Sequence, residues 1–388
     1  MADAEVQEAV AQELSNTPYA CSSLTQLSGG TANFVYRGVL SQPLPDGTTT
    51  VILKHTKDYV ASNKDFKLSA KRCLAEESAL RALNSLQSIT TTNDGSDGQK
   101  YQITVKTPQL LHFNPETNTQ VMEDLPSAVD LKTFFLSPDV SKIISQEWTK
   151  SIGRTIGAWL RSFHVWISDA AQEEAAKNFA SNTDMRDLKF SINYDSLLSV
   201  IGKYPGLLEE SRELFEQVRN LAAAEINESQ DEVFGPIHGD FWSGNVLLPK
   251  DALENPLPAT PLFITDWELA QTGTRALDLG QMLAELYMLK HFKDIDAGLW
   301  VIQGIAEGYG DISSDVAFRT LIHVGVHLIF WGSTTAGWGS DEQVREVVRI
   351  GRDLVTKGWL KDRGGFEAGV WEGLFREKGL DLESKASI

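Results

Sequence analysis

The sequence is poor in cysteine and in positive charge, and each shortage excludes a class of protein. Two cysteines, Cys21 and Cys73, occur among 388 residues, too few for a disulfide framework or a cysteine-ligated zinc site. Lys and Arg number 35 against 53 Asp and Glu, which gives a formal net charge of −18. So acidic a chain is poorly suited to nucleic acid or to an anionic membrane. We therefore expect neither as a partner, and the scarcity of cysteine favours a reducing, cytoplasmic compartment.

Apolar runs long enough to cross a membrane are also lacking. No stretch of about 18 uncharged apolar residues occurs, so no segment is predicted to span a bilayer. The first ten residues, MADAEVQEAV, have neither the basic nor the apolar region of a secretory signal. Hydrophobic residues make up 42% of the chain, which is enough for a core that needs no disulfides.

A β-rich region opens the sequence after a short amphipathic helix at 6–14. Runs of β-branched and aromatic residues, broken by Gly, Pro and Asp, predict strands, and apolar residues at helical spacing predict one main helix among them. The predicted strands are 22–27, 33–40, 49–55, 109–113 and 120–122, the helix is 66–86, and 90–99 is a polar loop.

Helical patterns replace strand patterns after residue 131. Apolar residues recur there at helical spacing, which predicts helices at 143–166, 207–226, 276–289, 297–308, 315–331 and 342–360. The change follows the segment Glu123-Asp124-Leu125. The sequence therefore predicts an α+β chain of two lobes, a small β-rich lobe of residues 1–125 and a larger, mostly helical lobe of residues 126–388.

Residues 237–247, IHGDFWSGNVL, hold the strongest chemical signal. Apolar residues flank a polar loop in which a carboxylate, Asp240, and an amide, Asn245, lie five residues apart. Phosphoryl transfer needs one carboxylate to orient the acceptor hydroxyl and take its proton, and an oxygen ligand for Mg²⁺. Asp240 fits the first role and Asn245 the second. The alternative is an Asp and an Asn that only cap turns.

A second acidic segment contains Asp266, which lies 26 residues after Asp240. Residues 262–268 read LFITDWE, and they begin as an apolar strand that ends at Asp266. Mg²⁺ prefers one or two carboxylates together with nucleotide phosphates. Asp266 is therefore the candidate metal carboxylate, and Glu268 supports a second metal or a hydrogen bond. Asp278 has the position of a carboxylate at the N-terminus of a helix, where it interacts favourably with the helix dipole. We expect it also to brace the catalytic loop by hydrogen bonds.

The β-rich region holds the complementary pieces. Gly29 and Gly30 form a turn between two strands, where backbone N–H groups can approach phosphate, although a plain hairpin turn has the same pattern. Lys54 ends an apolar strand. A strand lysine that binds phosphate oxygens and pairs with a helix glutamate is the kinase arrangement. Glu76 is the best partner for it, and Glu77 is the next.

The segment between the two lobes is the candidate adenine site. An adenine ring could bond the backbone of such a linker between apolar walls. Its residues are Met122, Glu123, Asp124 and Leu125.

In this order the motifs resemble the aminoglycoside phosphotransferase and choline kinase-like superfamily, which has the bilobal fold of protein kinases. HGDFWSGN, ITDWE and LDLG carry the resemblance, whereas protein kinases would show HRD, DFG and APE. LSGGTANFVYR, VILKH and VMEDL look most like methylthioribose kinase-like enzymes of fungi. The resemblance implies contacts with ATP at Asn33, Lys54, residues 123–125 and Asp266. It also implies Asp240 as the catalytic base.

The acceptor pocket is expected between Asp240 and the helices that follow Gly280. The candidate walls are Trp242, Tyr287, Trp331 and Trp338, although aromatic residues at helical spacing are more often core. His323 and His327 have metal-like spacing without a third ligand.

The function predicted from these residues is an ATP- and Mg²⁺-dependent kinase that phosphorylates a hydroxyl group of a small metabolite. The aromatic acceptor half and the negative charge favour a hydroxylated aromatic amine. Methylthioribose, an amino alcohol or a sugar amine remain alternatives, as does a catalytically silent kinase fold used for binding. Bacterial and plant methylthioribose kinases carry Ser where this chain has Asn245.

Overall fold

Strands dominate the chain up to residue 130 and helices dominate after it. The computed structural model describes residues 2–27, 30–94, 98, 100–140, 144–228, 233–253 and 259–375. Its first group of elements is α1 (Ala2–Leu14), β1 (Cys21–Gln26), β2 (Phe34–Leu40), β3 (Thr50–His55), β4 (Tyr59–Val60), β5 (Asn63–Lys67), α2 (Arg72–Leu83), β6 (Ile89–Asp94), β7 (Lys100–Lys106), β8 (Leu110–Asn114), β9 (Thr119–Glu123) and β10 (Ala128–Asp130).

The second group is mostly helical. It consists of α3 (Leu131–Leu136), α4 (Gln146–Trp166), α5 (Glu173–Ser181), α6 (Thr183–Phe190), α7 (Ser196–Ile201), α8 (Pro205–Leu208), α9 (Arg212–Glu228), β11 (Phe234–Ile237), β12 (Val246–Pro249), β13 (Ala259–Ile264), β14 (Gln271–Thr274), α10 (Ala276–Lys293), α11 (Ala297–Tyr309), α12 (Ser314–Thr334) and α13 (Asp341–Trp359). The predicted α+β fold class, with a β-rich part followed by a helical part, is confirmed.

An antiparallel sheet in the order β1-β2-β3-β9-β8 forms the core of the N-terminal part. Side chains alternate across a strand, and alternate residues of β2 are buried. Helix α1 covers one face with Val6, Val10 and Leu14, which join the buried cluster of the sheet. Strand β3 lies at the centre between β2 and β9, so a side chain at its end is fixed by strands on both sides.

A second sheet in the order β10-β12-β13-β7-β6 joins the two parts of the chain. The predicted polar loop at 90–99 is wrong over 90–94, because this stretch is strand β6, which pairs with β7. Residues 95–97 and 99 lie outside the described part. Strand β7 was missed although Tyr101, Ile103 and Val105 alternate and are buried. It pairs in parallel with β13, from the other part of the chain. The boundary at residue 125 stays a prediction.

The predicted helix at 66–86 is shorter than its sequence pattern. Strand β5 occupies its first residues, and α2 begins at Arg72. Every residue of β5 is exposed, so hydrophobic periodicity gave no signal there. The predicted helix did identify the stretch that carries Glu76, which is buried in α2.

The helical part is packed tightly around α12. This helix is long and apolar enough to cross a bilayer, but 83% of its most apolar 18-residue window is buried inside the protein. It packs against α10 and α13 and is therefore a core helix. The six predicted helices have counterparts in α4 and in α9 to α13, whereas α5 to α7 were not predicted.

Candidate functional site

Lys54 lies between two carboxylates from distant parts of the sequence. Its Nζ atom is 2.7 Å from Oε2 of Glu76 in α2 and 2.5 Å from Oδ1 of Asp266, which follows β13. Burial alone would lower the pKa of Lys54, but the charges of Asp266, Glu76 and Glu268 raise it above its ordinary value. The backbone N–H of Trp267 also donates to Glu76, at 3.1 Å. Lys54 is therefore a fixed ammonium group at the junction of both parts of the chain.

Arg72 connects the glycine turn to the second acidic segment, and sequence reasoning missed it. It is fully buried, and its Nε donates to Oε2 of Glu268 at 2.8 Å. Its Nη2 donates to the carbonyl of Ala32 and to Oδ1 of Asn33. Asn33 completes the ring through its Nδ2, which is 2.7 Å from the same Glu268 oxygen. Burial raises the pKa of Glu268. The donors on Arg72 and Asn33 offset the cost of burying this carboxylate.

The loop that carries Asp240 is held by its backbone. Gly239 has φ +79°, and a Cβ there would lie 2.1 Å from the carbonyl oxygen of Leu269, so only glycine fits. The N–H groups of His238 and Gly239 donate to the two carboxylate oxygens of Asp278, at 2.9 and 3.0 Å. The expectation that Asp278 braces the catalytic loop is confirmed. His238 Nε2 donates to the carbonyl of Thr265, which ties this loop to the segment of Asp266.

His164 supports the brace from behind. Its Nε2 donates to Asp278 at 3.1 Å and its Nδ1 accepts from the hydroxyl of Tyr309 at 2.9 Å. Burial lowers the pKa of His164, so the ring is neutral and its one Nε2–H fixes the carboxylate. His164 is therefore a buried histidine with a structural role.

Asp240 is surrounded by hydrogen-bond donors. Lys189 in α6 and Gln281 in α10 both donate to its Oδ1 atom, each at 2.7 Å. The amide nitrogen of Asn245 donates to the carbonyl of Asp240 at 2.9 Å and to Oδ2 at 3.2 Å. Burial would raise the pKa of Asp240, but the charge of Lys189 and the hydrogen bonds from Lys189 and Gln281 lower it below its ordinary value. Asp240 is therefore an ionised carboxylate.

The predicted glycine turn and linker are only partly described. Gly29 lies outside the described residues, and Gly30 is exposed ahead of β2. Met122 and Glu123 end β9 beside β3. Asp124 binds Arg37 through both of its oxygens, at 2.9 and 3.0 Å, so its side chain fastens the linker to β2.

Trp242 and Trp338 both lie against one lysine, in the region where the acceptor pocket is expected. The Nζ atom of Lys132 is 4.9 Å from the ring centroid of Trp242 and 4.4 Å from that of Trp338. The same ammonium group is 3.1 Å from Oε2 of Glu285. The other oxygen of Glu285 accepts from Nε2 of His327 at 2.9 Å. Lys132 and Glu285 were not predicted.

The other two predicted wall residues differ in position. The ring of Trp331 lies 6.1 Å from that of His327, which places it next to this group. Tyr287 packs on His291 and Trp371. It is two residues from Glu285 and so lies on the opposite side of α10, and the structure does not bring it to Asp240.

A polar stripe on α10 is the sequence signal from which the contacts of Asp278, Gln281 and Glu285 could have been predicted. Asp278, Gln281 and Glu285 recur at spacings of three and four in a helix that is otherwise largely apolar and buried, so they share one face. His323 and His327 lie on α12, and among the described residues no group of three or more His, Cys, Asp and Glu could hold a metal. His323 Nδ1 instead bonds the hydroxyl of Tyr194 at 2.9 Å.

Known proteins align with nearly the whole of this chain. No family model matches. The phosphotransferase FrzJ of Cladobotryum sp is 34% identical over 358 residues, which cover 91% of this chain and 92% of that protein. The 4-hydroxytryptamine kinase of Psilocybe cyanescens is 28% identical over 352 residues, or 89% of this chain and 90% of that protein. A solved choline/ethanolamine kinase family protein from Mesorhizobium loti aligns over 92% of this chain and 99% of that chain, with 15% identity and a TM-score of 0.47. The 34% identity between this chain and FrzJ extends over nine-tenths of both proteins, and it shows that this chain belongs to the same phosphotransferase family.

Proposed function

We propose that the protein is a kinase that transfers the γ-phosphoryl group of Mg·ATP to the hydroxyl of a small hydroxylated aromatic amine. The observation that carries the proposal is the convergence of Lys54, Glu76 and Asp266 beside a loop with an ionised Asp240. A strand lysine paired with a helix glutamate, a metal carboxylate and a base are the parts that phosphoryl transfer requires. The kinase relative supports ATP as the donor.

The donor side would bind ATP between the two parts of the chain. Lys54 carries the charge for phosphate oxygens, and Glu76 holds it in place from α2. The turn before β2 is fixed by Arg72 through the carbonyl of Ala32, which suits a loop that must lie close to phosphates. The linker at residues 122–125 is the proposed adenine site.

The side chains present fit a magnesium ion. Asp266 offers a carboxylate that is 36% exposed. The amide nitrogen of Asn245 donates to Asp240, so its amide oxygen is the remaining ligand atom. One carboxylate and one amide oxygen, completed by phosphate oxygens, are a donor set that Mg²⁺ accepts. When bound, the ion would neutralise charge on the phosphates. Glu268 is already bound by Arg72 and Asn33, so we assign it to holding the turn.

Asp240 would position the acceptor and take its proton. Its Oδ1 accepts two bonds of 2.7 Å from Lys189 and Gln281, whereas Oδ2 accepts the longer bond of 3.2 Å from Asn245. We therefore assign Oδ2 as the oxygen for the substrate hydroxyl. A carboxylate with a lowered pKa is a weak base, so its main contribution is to orient the hydroxyl and accept the proton as the phosphoryl bond forms.

The aromatic amine is the finer part of the proposal. Two indole rings and a buried carboxylate lie on the acceptor side, in the group of Trp242, Trp338 and Glu285. The name of one relative, a 4-hydroxytryptamine kinase, suggests the same acceptor class. We also propose a reducing, cytoplasmic compartment, because the sequence has only two cysteines.

The test is ADP release from Mg·ATP with a panel of acceptors. The panel contains 4-hydroxytryptamine, methylthioribose, choline and a fructosamine, and each is measured with the wild-type protein and with Asp240→Asn. We expect turnover of 4-hydroxytryptamine that Asp240→Asn abolishes. Turnover of another acceptor alone would overturn the aromatic-amine assignment. Silence on every acceptor together with no binding of ATP would overturn the kinase assignment.

A further inference from the structure

The ammonium group of Lys132 is held in a setting that proteins use to bind amines. It lies against the faces of two indole rings, 4.9 Å from the centroid of Trp242 and 4.4 Å from that of Trp338, and 3.1 Å from a carboxylate oxygen of Glu285. Aromatic faces attract cations through their quadrupoles, and Trp is the strongest of them. A carboxylate adds a charged hydrogen-bond acceptor.

The carboxylate in this setting is held in place before any ligand binds. Glu285 is 7% exposed, and its second oxygen accepts from His327, which is 2% exposed. Burial would raise the pKa of Glu285, but the hydrogen bond from His327 and the charge of Lys132 lower it. Glu285 is thus ionised at neutral pH, and a cationic partner stabilises this buried charge.

Glu285 lies one helical turn from Gln281, the α10 residue that contacts Asp240. Gln281, which donates to Asp240 at 2.7 Å, is four residues before Glu285 on the same face of α10. Side chains at that spacing are about 6 Å apart at their Cβ atoms. Trp242 is two residues after Asp240 on the catalytic loop. A small acceptor whose hydroxyl reaches Asp240 would therefore carry a second group to Glu285.

We propose that Glu285, Trp242 and Trp338 form the subsite for the ammonium group of the acceptor, and that Lys132 occupies this subsite until the acceptor displaces it. The inference rests on the proposed function, because it places the amine of the substrate whose hydroxyl is phosphorylated. Displacement exchanges one ammonium group for another, so the buried carboxylate remains paired throughout. The side chain of Lys132 is 20% exposed and comes from the first turn of α3, so part of it already contacts solvent.

The experiment crosses one change in the enzyme with one change in the acceptor. kcat/KM is measured for 4-hydroxytryptamine and for 4-hydroxyindole, which lacks the aminoethyl group, with the wild-type enzyme and with Glu285→Gln. We expect Glu285→Gln to lower kcat/KM for the amine by about 10- to 100-fold, through KM, and for the neutral acceptor by less than about threefold. Glu307→Gln is the matched control, since Glu307 is another paired carboxylate, bound by Lys150 and Arg154.

The outcomes separate this inference from the proposed function. Equal losses for both acceptors in Glu285→Gln would overturn the amine subsite while the kinase assignment stands. Failure of the wild-type enzyme to phosphorylate either acceptor would overturn the aromatic-amine function and the subsite with it. Thermal unfolding of Glu285→Gln shows whether the variant is folded.

Lys132→Met gives a second test that does not depend on Glu285→Gln being folded. Removing the internal ammonium group leaves the carboxylate for the acceptor alone, so KM for 4-hydroxytryptamine should fall by about three- to tenfold. A rise in that KM would overturn displacement, because it would mean that Lys132 itself contributes a contact to the acceptor.

Discussion

Glu268 on the donor side and the carboxylates Asp240 and Glu285 on the acceptor side are paired with different kinds of cation. On the donor side, Glu268 is bound by Arg72, a fully buried arginine that also donates to backbone carbonyls. On the acceptor side, Asp240 and Glu285 are paired with lysines whose side chains are 12% and 20% exposed. Arginine makes several fixed hydrogen bonds at once, whereas lysine is a single charge on a flexible stem. Arg72 thus forms a permanent donor-side frame around Glu268, whereas the lysine paired with Glu285 is the one that we propose the acceptor displaces.

Asp240→Asn should have the largest effect on activity. It removes the base but keeps the shape of the loop, so kcat should fall by about 10³-fold while ATP binding stays within about twofold of the wild-type value. ADP release and titration with ATP measure the two quantities. The control is Asp195→Asn, which removes a carboxylate paired with Arg219. Activity of Asp240→Asn within tenfold of the wild type would remove Asp240 from the mechanism.

Arg72→Met should have the largest effect on stability. The variant leaves Glu268 buried without its cation, so the free energy of unfolding should fall by about 3–5 kcal/mol. Urea unfolding measures this change, with Arg81→Gln as the control. Arg81 pairs with Glu77 on the exposed side of the same helix, and the loss there should stay within about 0.5 kcal/mol. Similar losses in both variants would contradict the account of a permanent donor-side frame.

Gly239→Ala should damage the catalytic loop from within. The residue has φ +79°, and the added Cβ would meet the carbonyl oxygen of Leu269 at 2.1 Å, so the loop must shift. We expect a loss of about 1–3 kcal/mol in stability and a loss of kcat, with far less effect on KM for ATP. Gly337→Ala is the matched control, since that glycine has φ +81° and a Cβ there meets nothing within 4 Å. Equal effects of the two substitutions would mean that φ alone, and not the close approach to Leu269, is what Gly239 is needed for.

Lys189→Met should have a smaller effect that depends on pH. The pKa of Asp240 is lowered from its ordinary 3.8, so the pair with Lys189 stabilises the fold above that pH, and this stability is lost as the pH falls through the lowered pKa. Without Lys189 the pKa of Asp240 should rise. The acid limb of the profile of kcat/KM against pH should then move to higher pH, while the rate at neutral pH changes by less than about tenfold. An unmoved acid limb would mean that Lys189 does not control the ionisation of Asp240.

The sequence was most informative where chemistry demands particular residues at short spacing. Asp240 and Asn245 lie on one loop, and Lys54 and Asp266 each lie at the end of a strand, so their types and local positions predict a common site. The fold brings Lys54 into contact with Asp266 and Asn245 into contact with Asp240. The brace by Asp278 was foreseen because it follows the same motif closely. These residues lie on a loop or at the end of a strand, and such positions are indicated by the neighbouring residues in the sequence.

The acceptor side could not be predicted to the same depth. Lys189, Lys132 and Glu285 lie on three different helices, and which of them meet depends on how α3, α6 and α10 pack. Lys132 has neighbours typical of an exposed helix start, and Lys189 lies in a helix that the apolar pattern did not reveal. Tyr287 shows the converse, because an aromatic residue near the right place in sequence lies on the opposite side of α10.

The most direct test of the central claim is ³¹P NMR of the products formed from Mg·ATP and 4-hydroxytryptamine. With the wild-type protein the account predicts a new phosphomonoester resonance that grows in step with ADP, and no such resonance with Asp240→Asn. Bound ATP that yields only ADP and inorganic phosphate, or an equal phosphomonoester signal from Asp240→Asn, would contradict it.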